Sequence, residues 1–265
     1  MKMFFFIAAL VIALSVQTEV LLGYCPNLYV LYLVQLAGTG GVYHDRAYGF
    51  WLRKPRVMVA ALLLLISAIS ALWAWYAALA LAVPSLISAA YLAPVIPFHG
   101  RKVTLRQLPY AKVIAITIVW GMVTVLVPSV RHGHTVNAGL VLFLAERMAF
   151  VFVLALMADI RDVESDRVEG LKTIPLRIGK NQSLKLCQFV LLVFFLLAIV
   201  HYGKTMPRML LLMGITAAGV GLLTGRRLFA ARSRLCCWLA DVLLLLQALI
   251  TLFLCVPCRK ILINC

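Results

Sequence analysis

Charge is scarce in this sequence, and acid is the scarcest of all. Only 13% of the 265 residues are Asp, Glu, Lys or Arg, against about 25% in an ordinary globular domain. So small a polar supply cannot clothe a water-facing surface, which excludes a soluble domain and a disordered chain alike. Nine acids stand against 25 Lys and Arg, leaving a net charge of +16. A cysteine framework is also missing. The seven cysteines are scattered and lie mostly in or beside apolar runs, so a disulfide-stapled scaffold is excluded. Cys255-Val-Pro-Cys258 has the spacing of a metal or redox pair but no second pair to complete it. Buried small apolar residues account for these cysteines without a site.

What is present is apolar sequence, 64% of the chain. Runs long enough for a bilayer predict nine helices over 3–22, 26–43, 57–73, 75–93, 110–129, 136–158, 184–203, 207–224 and 236–256. The uncharged stretch 57–93 is too long for one crossing at about 1.5 Å per residue. It divides into a hairpin whose turn carries Trp73, Trp75 and Tyr76, rings that favour the interface. Lys2 and the apolar run before Ala13-Leu-Ser15 loosely fit a signal peptide, but the run continues to Leu22 and reads as a first span. The expected fold class is an all-α polytopic membrane protein: one domain over 1–265, a nine-transmembrane-helix bundle with a cytoplasmic-facing site.

Basic residues orient the bundle. Nineteen of the 25 Lys and Arg fall on the side of the N-terminus and of the loops after even-numbered spans. Five (Arg131, Lys204, Arg208, Arg259 and Lys260) fall on the other side, and Arg147 lies within the sixth span. Positive charge is retained in the cytoplasm, so the N-terminus is expected inside and the C-terminus outside. The basic balance therefore reads as membrane topology and not as nucleic-acid binding.

Because acids are few, their placement is informative. Asp159, Asp162, Glu164, Asp166 and Glu169 fall in eleven residues after the sixth span, in MADIRDVESDRVEGLKTIPLRIG, 157–179. Asp159, Asp162, Asp166 and Glu169 share one face if the helix continues through them. Like charges repel there, and a helix C-terminus disfavours anions, so a cation is required. Mg²⁺ bound by a few carboxylates and substrate phosphates would supply it; a solvated mixed-charge helix end is the alternative. Gly170 is expected to stop the helix. Lys172 and Thr173 follow, either within reach of a bound phosphate or as part of a positive-inside anchor.

The loop after the second span, GTGGVYHDRAYG at 38–49, packs Tyr43, His44, Asp45 and Arg46 into a polar knot. It reads as a second polar site or as an interfacial Asp–Arg pair. Glu19, Glu146, Arg147 and Asp241 lie within or near spans, where charge is costly and needs a partner on another helix or in a polar cavity.

The run from Asp159 through Asp162, Asp166, Gly170, Lys172, Thr173 and Pro175 to Gly179 resembles the second Asp-rich motif of the UbiA-type intramembrane prenyltransferases. Tyr91 closing the fourth span, a basic loop, Lys112 opening the fifth, then Trp120 and Pro128 are similar to the family's middle region. The resemblance implies nine helices with both Asp-rich motifs on cytoplasmic loops. It further implies Mg²⁺ holding an isoprenyl diphosphate, and alkylation of a lipophilic acceptor, often an aromatic ring such as a quinone precursor. On that basis Asp45, Asp159, Asp162 and Asp166 are the expected metal ligands. Asp45, Asp162 and Asp166 are the expected catalytic acids, and Tyr43, Arg46, Tyr91, Lys112, Lys172 and Thr173 the expected substrate-binding residues. The first motif, usually Asn-Asp-x-x-Asp-x-x-x-Asp, keeps only Asp45; Gly41, Val42 and Gly49 occupy its other positions.

Three other readings compete. A CDP-alcohol phosphotransferase needs Asp-x-x-Asp-Gly-x-x-Ala-Arg, and Val163 follows Asp162 here. A transporter calls for polar residues along several spans, and only Glu19, Glu146, Arg147 and Asp241 suggest that. A non-catalytic relative is the reading that Val42 and Gly49 favour.

Overall fold

In lipid each backbone N–H and C=O must be satisfied within its own segment, and helices achieve this. The computed structural model describes residues 2–24, 75–92, 94–98, 101–133 and 135–254, and apolar helices dominate them. Helix α1 spans Lys2–Leu21 and α2 spans Trp75–Leu92. A small antiparallel hairpin follows, β1 (Ile96–Phe98) against β2 (Arg101–Val103), with Ile96 opposite Val103. After a 3-10 turn at Leu105–Gln107 come α3 (Ala111–Gly121), a π-helical turn (Met122–Leu126) and α4 (Val127–Arg131). Helix α5 spans Ala138–Arg161, α6 Val163–Val168 and α7 Ile174–Ile178. Helices α8 (Lys180–Tyr202), α9 (Pro207–Leu223) and α10 (Arg226–Leu254) complete the described chain.

Seven of the expected spans coincide with these helices, while 26–43 and 57–73 lie outside the described residues. Four runs are long and apolar enough to cross a bilayer: Ala111–Val130, Ala138–Arg161, Lys180–Tyr202 and Arg226–Leu254. The chain is an integral membrane protein. The basic loop between α2 and α3 holds the β hairpin, and one departure from the expected bounds has a local cause. Helix α10 begins ten residues before the expected 236, because its basic segment stays helical up to a kink at Arg232 (φ −143, ψ 46).

Helix α5 is central, packing against α3, α8, α10 and α7. Around it α8 lies on α9, α9 on α10 and α10 on α1, and α1 closes on the π turn. The large apolar side chains that remain exposed, among them Phe189, Leu196, Val200, Leu222 and Phe253, face outward from these helices as lipid-facing side chains do. Two local features bring helices close. A Cβ on Gly121 would sit 2.7 Å from Met148 Cγ, so α3 approaches α5 where glycine stands. Pro128 has no N–H to give the Thr124 carbonyl one turn back. The Thr18 hydroxyl of α1 donates to that carbonyl at 2.7 Å and shares its proton with Leu14 O at 3.0 Å.

Candidate functional site

The second acidic motif begins on α5. Asn137 caps this helix by accepting from Leu140 N at 2.8 Å. The helix then runs unbroken to Arg161, and Asp162 departs from helical geometry (φ −94, ψ 11). Helix α6 restarts at Val163 and stops at Gly170, whose φ of +69 suits glycine. The acids therefore do not share one continuous face. The break at Asp162 turns Asp159 and Asp166 inward, to 2% and 4% exposure, and leaves Asp162 half-buried and Glu169 exposed.

Lys112, the second residue of α3, is the cation that the inward acids require. Its Nζ lies 2.8 Å from Asp159 Oδ1 and donates to Asp166 Oδ1 and Oδ2 at 2.8 and 2.7 Å. Lys112 is itself 7% exposed. The ammonium offsets both the like-charge repulsion and the negative end of the α5 dipole. One polar atom is left over: Asp159 Oδ2 is buried without a hydrogen-bond partner. Asp162 is clasped by its neighbour Arg161, with Nε and Nη2 on its two oxygens at 2.7 Å each. Arg161 also lies within electrostatic reach of Asp241 on α10.

Two loops are stitched together over this centre. Arg106 pairs with Glu169, and Tyr110 N donates to Lys172 O at 3.1 Å. The Tyr110 hydroxyl accepts from Arg177, whose guanidinium lies 5.4 Å from the Tyr110 ring centroid. Tyr110 takes a left-handed φ of 62 to do so, a conformation that costs a non-glycine residue about 1–3 kcal/mol. Arg106, Tyr110 and Arg177 escape sequence reasoning, because an Arg or Tyr in a basic loop has no pattern that names its partner.

The remaining expected site residues divide as follows. Thr173 is buried beside this loop, its hydroxyl without a hydrogen-bond partner, and Lys172 is exposed. Tyr91 is buried in the last turn of α2, a helix that packs against the 3-10 turn and α3. Tyr43, Asp45 and Arg46 lie outside the described residues. Among the described residues no three His, Cys, Asp or Glu side chains converge closely enough to hold a metal ion by themselves. Mg²⁺ asks for less, since one or two carboxylates plus substrate phosphates and water suffice. Asp159, Asp166 and nearby Asp162 are hard oxygen donors of that kind, and the orphaned Asp159 Oδ2 leaves capacity for a cation.

The other intramembrane charges find partners on distant helices. Glu146 pairs with His201 of α8 at 2.7 Å, and Glu19 with His132 at 3.2 Å. Arg147 donates to Gln17 Oε1 at 2.7 Å, and Gln17 donates in turn to Thr251 at 2.9 Å. These links tie α5 to α8 and α1, and α1 to α10.

The profile of the UbiA prenyltransferase family matches residues 52–254. Two solved structures share the fold over most of their length. One is a UbiA homolog from Archaeoglobus fulgidus bound to Cd²⁺, with a TM-score of 0.63 and 15% identity over 92% of this chain and 95% of that one. The other concerns a digeranylgeranylglyceryl phosphate synthase in membranes, with a TM-score of 0.55 and 16% identity over 92% of both chains. No curated protein matches the sequence.

Proposed function

The chain belongs to the UbiA prenyltransferase family, and on that premise we propose that it transfers an isoprenyl group from an allylic diphosphate to a lipophilic acceptor within the membrane. The acceptor is read as an aromatic, quinone-precursor-like ring. The observation that carries this reading is the buried Lys112–Asp159–Asp166 centre beneath the stitched loops. An enclosed cluster of two acids and one lysine, at the end of a membrane bundle, is built to handle a charged headgroup on an apolar tail.

Asp159, Asp162 and Asp166, with Asp45 of the first motif, would hold Mg²⁺. When bound, the ion neutralises charge that grows on the diphosphate as the allylic C–O bond breaks. Lys112 adds positive charge at the buried end of the motif, and Lys172 and Arg46 add it from the loops. Tyr43 and the Thr173 hydroxyl offer hydrogen bonds to phosphate oxygens, and Tyr91 borders the same end of the bundle. The apolar helices exclude water from the allylic cation, so the acceptor ring captures it in preference to water. The ring then loses a proton to the released diphosphate and regains aromaticity. In the same reading residues 1–265 form one domain, with the N-terminus and both Asp-rich loops cytoplasmic.

The test is to incubate the full chain, in detergent or nanodiscs, with allylic diphosphates of several lengths, Mg²⁺ and aromatic acceptors. Prenylated product and released diphosphate are expected, both abolished by chelation of the metal. No consumption of any allylic diphosphate would reject the enzymatic reading. It would favour a non-catalytic relative, the alternative that Val42 and Gly49 in the first motif support.

A further inference from the structure

Every carboxylate from Asp159 to Glu169 is engaged by a basic side chain of the protein itself. Arg161 takes Asp162, Arg167 and Lys180 take Glu164, and Arg106 takes Glu169. Those pairs are partly or largely exposed, where water screens the attraction and little is lost on separation. The pair of acids on Lys112 differs in kind. An ammonium has three protons to donate. All three contacts, at 2.7–2.8 Å, go to Asp159 Oδ1 and the two oxygens of Asp166. The nitrogen therefore sits between the two acids and is held by both.

It also fills that position incompletely. One positive charge faces two negative ones in a buried site, and Asp159 Oδ2 is left without a hydrogen bond. Buried charge is tolerated only when it is matched. A doubly charged ion would match this pair, and a lysine matches half of it.

We propose that Lys112 is an internal stand-in for the divalent cation. It holds Asp159 and Asp166 together, competes with the metal for them, and yields when a diphosphate offers the displaced ammonium a new anion. Metal and diphosphate then bind as a coupled pair, each raising the affinity of the other by the same factor. The proposal rests on Asp159 and Asp166 being metal ligands, as read above, but not on prenyl transfer taking place.

Mn²⁺ is a suitable probe, because carboxylate sites accept it as they accept Mg²⁺ and electron paramagnetic resonance reports the free ion. The full chain in detergent is titrated with Mn²⁺, with and without inorganic pyrophosphate, as wild type and as Lys112→Met. Without pyrophosphate the variant should bind Mn²⁺ more tightly by on the order of tenfold or more, the usual size of coupling between sites. Pyrophosphate should strengthen Mn²⁺ binding to the wild type much more than to the variant. Lys112→Met/Asp166→Asn, which removes the lysine together with one acid, should lose the gain. A Lys112→Met protein recoverable only in the presence of Mn²⁺ would support the proposal, since the ion then replaces the side chain. If that variant is never recovered, the wild type decides. Acylation of Lys112, followed by mass spectrometry, should be slow in the protein alone and faster once Mn²⁺ is bound. A Lys112→Met affinity no higher than wild type, or Lys112 acylation unchanged by bound Mn²⁺, overturns the proposal. A chain that exchanges partners in this way yet consumes no allylic diphosphate would refute the enzymatic reading and leave this one standing.

Discussion

Asp166→Asn separates a structural from a chemical role for the buried acids. In the folded protein Asp166 contributes two of the three contacts to Lys112. Charge-assisted hydrogen bonds of this sort are worth about 1.5–3 kcal/mol each, which by itself predicts a severe loss. Two effects oppose it. The amide oxygen of Asn still accepts one bond from Nζ. The substitution also takes the buried trio from one excess negative charge to neutrality, relieving repulsion between Asp159 and Asp166. The net cost to folding should therefore stay below about 2 kcal/mol, well under the roughly 3–5 kcal/mol for leaving a buried charge uncompensated. Turnover should fall far more. Removing a group that stabilises charge in the transition state costs on the order of 10²-fold, equivalent to about 2.7 kcal/mol. The assay pairs thermal unfolding in metal-free detergent with diphosphate release at saturating Mg²⁺. Lys112→Met serves as the comparison, because it leaves two buried acids without a cation. An Asp166→Asn protein as unstable as Lys112→Met, with activity lost only in proportion to the fraction unfolded, would show that Asp166 is structural.

Asp45→Asn should slow turnover about as much as Asp162→Asn, on the order of 10²-fold or more, because no second carboxylate of the first motif is present to back it up; a wild-type rate in Asp45→Asn beside an inactive Asp162→Asn would exclude a two-motif mechanism. A reporter fused after Cys265 should behave as non-cytoplasmic, and a cytoplasmic signal there would reject the odd span count. Tyr110→Gly should be more stable than Tyr110→Ala by about 1 kcal/mol, since glycine adopts the left-handed φ freely, while both lose the contact with Arg177; equal unfolding temperatures would show that Tyr110 is not strained. Thr18→Val should cost about 0.6–1.7 kcal/mol, the range for hydrogen bonds between membrane helices. That cost should shrink in the Pro128→Ala background, where an N–H within the helix can serve the Thr124 carbonyl, and an undiminished cost would show that Thr18 does not act through that carbonyl.

The membrane class and the placement of seven helices, four of them long and apolar enough to cross a bilayer, were legible in the sequence, because lipid imposes a local rule: long apolar runs must be helical. The acidic motif was legible for a similar reason, since its residues are close together in the chain and acids are otherwise rare. What the sequence could not state is which acids turn inward. A continuous helix would put Asp159, Asp162, Asp166 and Glu169 on one face, and the break at Asp162 sorts them into a buried pair and two outer residues held by arginines. Lys112 was visible as a basic residue opening a span. Its role as the shared partner of Asp159 and Asp166 depends on where α3 begins relative to the end of α5, with 54 residues separating Lys112 from Asp166. The same holds for Arg147 and Gln17, which meet across 130 residues. Propensity and hydropathy act within a few turns of helix. The partner of a buried charge is chosen by which helix ends or faces meet in space, and only the packed bundle decides that.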